Sequence, residues 1–145
     1  MTNVWEKFDK EIDDETRKQI EAAENTEFVE VPHGDYEVKI SNMELKLSKN
    51  GNPMLTIWFK IVSGDYKNSL IFMNQVLNTP FQISIANKML RSLAPFKEIT
   101  FEKYSQYADL IMDIFEEIDG KFEYALKYGE KKGYNTFEII DVFEV

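Results

Sequence analysis

The amino-acid sequence predicts a mainly β domain with one helical insertion, on three observations. Apolar and polar residues alternate from Tyr36 to Val62 on either side of an Asn-Gly turn. Apolar residues recur every four positions from Phe81 to Leu93 and again from Tyr107 to Phe115, and alternation then returns from Phe122 to the end of the chain. A period of two marks strands and a period near 3.6 marks helices. The predicted order is therefore β-β-β-α-β-β.

Residues 1–30 stand apart as an acidic N-terminal arm or helix, with ten acids against four bases. Trp5, Phe8 and Ile12 are spaced three and four apart, which is one helical face. Two readings fit: a solvated leader that packs one aromatic onto the domain, or an interaction segment that orders on a partner.

Pro32, His33 and Gly34 form a turn, and Tyr36, Val38 and Ile40 then share one face of the first strand. Met43, Leu45 and Leu47 follow one residue out of phase, so a β-bulge near Ser41 and Asn42 is needed to restore the facing and bend the strand. Ser48 to Pro53 carries the Asn-Gly pair of a hairpin. The second strand, Met54 to Val62, places Leu55, Ile57, Phe59 and Ile61 on one face and Met54, Thr56, Trp58 and Lys60 on the other. Gly64 to Asn68 turns the chain into a third strand, Leu70 to Met73.

Thr79 is a suitable N-cap ahead of Pro80. The helix it opens repeats Phe81, Ile85, Met89 and Leu93, with Ala86 and Leu90 beside them, and ends near Pro95. A looser helical stretch runs from Ile99 to Ile118, so the insertion spans about 80–118. Phe122, Tyr124, Leu126 and Tyr128 share a face of the fourth strand, Gly129 to Gly133 is a turn, and Tyr134 to Val145 is the fifth strand. This is the connectivity of the OB-fold, a five-stranded barrel whose second and third strands and flanking loops bind oligonucleotides. Residues 31–145 are predicted to form that OB-fold domain.

The chain of 145 residues carries a net charge of -9, which at first argues against a polyanionic ligand. The charge is unevenly spread. Residues 1–30 and 98–119 together hold 17 acids and five bases, leaving nine acids and twelve bases on the predicted sheet and first helix. No cysteine is present and no apolar run reaches the length of a membrane span, so a cytoplasmic protein without membrane contact is expected.

Catalysis is not expected. His33 is the only histidine and reads as a turn residue, so histidine-based nucleophilic dyads cannot be built. Asp109, Asp113, Glu116 and Glu117 lie at helical spacing and read as a solvated acidic face rather than a metal site. The glycines fit neither nucleotide-binding pattern, and no cofactor is indicated.

The segments VPHGDYEVKI, SKNGNPMLTIWFKIVSGDYKNSLIF and FQISIANKMLRSL, with the closing GYNTFEIIDVFEV, resemble a group of uncharacterised phage OB-fold proteins regarded as single-stranded DNA-binding proteins. The resemblance covers residues 31–145 and implies a role in phage replication or recombination, in the host cytoplasm, with proteins of those processes as further partners. It does not extend to the acidic tail, tipped by an aromatic residue, with which many such binders recruit partners. This chain ends in a strand-like EIIDVFEV, and the resemblance to binders that commonly dimerise implies that this apolar strand serves a homodimer.

Stacking platforms and cations define the candidate site, because single-strand binders stack bases on aromatic rings and track phosphates with lysines. Trp58 on the second strand is the sharpest candidate, either open to a base or covered by the arm or the insertion. Lys46, Lys49, Lys60 and Lys67 lie on or near the first hairpin and the next turn, and Lys127, Lys131 and Lys132 around the last turn. Tyr66, Phe72, Tyr128 and Tyr134 are further platforms, while Phe59, Phe122 and Tyr124 are assigned to the core. The expectation is a non-catalytic single-stranded DNA-binding protein. The alternative is a phage-encoded inhibitor or adaptor that binds a host protein through its acidic surface, and a metal-dependent nuclease using Asp109 or Asp113 ranks below both.

Overall fold

A computed structural model of the chain describes residues 14–24 and 30–145. The helical face of Trp5, Phe8 and Ile12 lies outside them. The elements run α1 (Asp14–Glu24), β1 (Gly34–Leu47), β2 (Pro53–Ile61), β3 (Leu70–Val76), α2 (Pro80–Leu93), α3 (Tyr104–Ile118), β4 (Phe122–Lys131) and β5 (Tyr134–Glu144). The strands are antiparallel and form one sheet in the order β3-β2-β1-β4-β5.

β1 is long enough to pair with β4 through its first half and with β2 along most of its length. The phase slip in its apolar pattern is a register shift between Ile40 and Asn42. It keeps Val38, Ile40 and Met43 all buried. One extra residue sharpens the local twist and bends the strand. On β2 the inward set is Leu55, Ile57, Phe59 and Ile61, each without solvent exposure. Phe59 stacks on Phe137 of β5, with ring centres 6.0 Å apart and planes at 15°. A ring from β2 thus meets one from β5, three places away in the sheet order, which requires strong curvature.

The predicted closed barrel is not formed. β3 and β5 are the two sheet edges, and no ladder joins them among the described residues. α2 packs against both edges. A 280 Å³ cavity between them is lined by Met73 of β3, Ile85 and Met89 of α2, and Phe137 and Ile139 of β5.

α2 opens on a capping box, in which Thr79 Oγ1 accepts from the Gln82 amide at 3.2 Å and Gln82 Oε1 accepts from the Thr79 amide at 3.1 Å. Ala86, Met89, Leu90 and Leu93 are buried, but Phe81 is 74% exposed. A four-residue repeat drifts by about 40° per step on a helix of 3.6 residues per turn. Three steps carry Phe81 well away from Leu93. α3 buries Tyr107, Ile111, Ile114 and Ile118, and the Tyr107 hydroxyl donates to Asn87 Oδ1 at 2.6 Å, tying it to α2.

β3 is longer than predicted, and the last hairpin has a shorter turn. Gly129, Glu130 and Lys131 belong to β4, whose ladder runs out to Lys131 opposite Tyr134. Lys132 and Gly133 alone make the turn, with φ of 53° and 81°. Two positive φ values in a two-residue loop match the twist of the flanking strands. The hairpin therefore stays paired to its tip.

Candidate nucleic-acid interface

Alternation and register together place four cross-strand rows on the outer face of β1, β2 and β3. They are Lys39, Lys60 and Leu70; Asn42, Trp58 and Phe72; Glu44, Thr56 and Asn74; and Lys46, Met54 and Val76. Three lysines and one acid make this face cationic. Trp58 and Phe72 meet edge to face at 5.5 Å, the arrangement favoured by ring quadrupoles.

Past Phe72 the face reaches a cavity of 660 Å³ between the start of β3 and the β4–β5 hairpin. Phe72, His33, Tyr128 and Asn135 line it. His33 Nε2 is 3.0 Å from Asn135 Oδ1, and its ring meets Tyr128 edge-on at 4.8 Å. Tyr128 in turn stacks on Phe137 at 5.5 Å, which ties the rim to the core through Phe59. Burial and the nearby Glu30 charge raise the Tyr128 pKa.

The other end of the face is covered. α1 lies across the third and fourth rows, and its Glu15 is 2% exposed. Lys46 Nζ donates to Glu15 Oε2 at 2.5 Å and Trp58 Nε1 to Oε1 at 3.1 Å, while the Thr56 hydroxyl lies 3.2 Å from Oε1 and makes its shorter contact, 2.6 Å, with Asn74 Oδ1. Gln19 Nε2 donates to Asn74 Oδ1 at 3.1 Å. Burial alone would raise the Glu15 pKa, but hydrogen bonds from Lys46 and Trp58 and the Lys46 charge hold it below the ordinary carboxylate range. Of the two alternatives for Trp58, its indole N–H edge is covered by the arm, while the residue as a whole is half-buried.

The candidate residues are therefore only partly brought together. Lys46, Trp58, Lys60 and Phe72 share the outer face, and Tyr128 stands across the cavity from Phe72. Lys49 is on the first hairpin, where a second cavity of 630 Å³ separates that hairpin from α1. Lys127, Lys131, Lys132 and Tyr134 are exposed on the β4–β5 hairpin, Tyr134 at 78%. Tyr66 lies elsewhere: it packs edge-on against Tyr36 at 6.0 Å and lines a cavity with Asp35, Glu37 and Asp65. Lys67 is exposed in the same turn.

Sequence reasoning missed Lys39, Thr56, Asn74 and Glu15. Lys39 was legible, since it points opposite to Val38 and Ile40 and so outward. Asn74 required the extension of β3 beyond Met73. On α3, Asp109, Asp113 and Glu116 are exposed, and Glu117 pairs with Lys97 at 2.9 Å. Among the described residues no three acidic or histidine side chains converge as metal ligands, and no helix is long and apolar enough to cross a membrane.

No curated protein matches the chain. The sequence pattern of a family described as Protein of unknown function (DUF669) matches residues 18–113, from within α1 to within α3. That match covers well over half of the 145 residues, and the chain belongs to this family.

Proposed function

We propose that this protein binds single-stranded DNA without catalysis, in the manner of phage replication or recombination proteins, on an OB-fold scaffold. The observation that carries the reading is the row of Trp58 and Phe72 bordered by Lys39 and Lys60 on the outer face of β2 and β3. Rings supply sequence-tolerant stacking, worth about 1–3 kcal/mol per base, and lysines supply phosphate contacts. The OB-fold part rests on strand order: β3-β2-β1-β4-β5 suits a Greek-key barrel opened between β3 and β5. The first hairpin and the β4–β5 hairpin then flank the binding face, with Lys49 on one and Lys131 and Lys132 on the other.

Anisotropy of a labelled oligo-dT tests the reading. Three to five phosphate contacts at a slope of about -0.7 each predict roughly a twentyfold to hundredfold loss of affinity between about 50 and 200 mM salt. No binding at the lower salt rejects the proposal. The exposed acids Asp109, Asp113 and Glu116 on α3 favour a second reading, an inhibitor or adaptor for a host protein. That reading requires co-purification with the host protein free of nucleic acid, and function that survives Trp58→Ala and Lys60→Glu.

A further inference from the structure

Glu15 is the one buried side chain among those described on α1, and it is a charge. Asp14, Arg17, Lys18, Glu21 and Glu24 are exposed, and the apolar Ile20 is 49% exposed. No large apolar side chain among those described on this helix is therefore buried. The sheet donors Lys46 Nζ and Trp58 Nε1 hold the Glu15 carboxylate, with Thr56 Oγ1 3.2 Å away, and Gln19 Nε2 of the helix donates to Asn74 Oδ1.

A cation and an indole N–H converging on one buried oxygen pair make an anion site. Nothing in that donor set distinguishes a carboxylate from a non-bridging phosphate oxygen. The site adjoins the Trp58 and Phe72 row, so a strand stacked on those rings would bring a phosphate to it.

We propose that α1 is a displaceable cover of the nucleic-acid face, with Glu15 seated where a backbone phosphate of the bound strand goes. This rests on the single-strand-binding reading above and adds its regulation. Strand and helix compete for the same donors, so apparent affinity equals intrinsic affinity scaled by the undocked fraction. A helix docked about nine-tenths of the time lowers apparent affinity about tenfold.

The test is oligo-dT binding by the full chain and by Glu15→Gln, Glu15→Ala and Glu24→Gln. The first two are expected to bind about tenfold more tightly, while Glu24→Gln, which removes the same charge from an exposed position of α1, changes affinity less than about twofold. Wild type that binds, with Glu15 variants no tighter than Glu24→Gln, overturns the cover and leaves the binding reading intact. Absence of binding by every form rejects both. Hydrogen exchange of the wild-type chain provides a readout independent of the variants' folding: amides of residues 14–24 should lose protection when oligo-dT is added. Protection that stays or rises there overturns the proposal.

Discussion

Phe59→Ala should lower the unfolding free energy by about 3–5 kcal/mol, the usual cost of deleting a buried phenyl ring. Phe59 has no solvent exposure, sits in the inward row of β2 and stacks on Phe137 of the opposite edge strand. Its loss leaves a cavity where β2 and β5 meet, in a sheet that lacks a β3–β5 ladder to resist opening. For a domain whose whole stability is about 5–15 kcal/mol, that is a large share. Urea unfolding followed by circular dichroism measures it. Phe59→Leu, which keeps most of the volume, should cost less than half as much. Equal costs for the two would mean that the ring stack itself, rather than the volume it fills, carries the stabilisation.

Reversing Lys39 and Lys60 together should weaken oligo-dT binding on the order of a hundredfold at low salt, at roughly 1.5 kcal/mol per charged contact. The two are register partners on β1 and β2, adjacent to the Trp58 and Phe72 row. The salt dependence should also flatten, by about 0.7 for each lost phosphate contact. Lys103→Glu with Lys121→Glu changes net charge equally at the two ends of α3 and should have a far smaller effect. If both double variants lose affinity alike, net charge rather than this face governs binding.

Local periodicity carried most of the fold. The inward row of β2, the bulge at Ile40 to Asn42 and the Thr79 cap depend on residues within a few positions of one another, and all three were legible. The state of the barrel was not. Whether β3 pairs with β5 depends on edges about 60 residues apart and on where α2 packs, and no repeat in the chain encodes that. The Gly129 to Gly133 stretch looked like a loop because glycines bracket it, yet the ladder continues through Lys131 and only Lys132 and Gly133 turn.

At the site, aromatic and lysine positions could be assigned to faces by counting in twos, which found Trp58, Lys60 and Phe72. Tyr66 was misleading because it sits in a turn, where alternation says nothing about direction. Glu15 had no signal at all. It is one of ten acids in the first thirty residues, and its burial depends on donors 31 to 43 positions away.

The claim that the outer face of β2 and β3 grips a single strand is tested most directly by amide and indole spectra of the isotopically labelled chain during oligo-dT titration. Trp5→Phe assigns the two indole signals. The Trp58 indole and the amides of Lys39, Lys60 and Phe72 should shift together and saturate at one stoichiometry. Shifts confined to the acidic face of α3, or none at strand concentrations that saturate labelled oligo-dT, would contradict it.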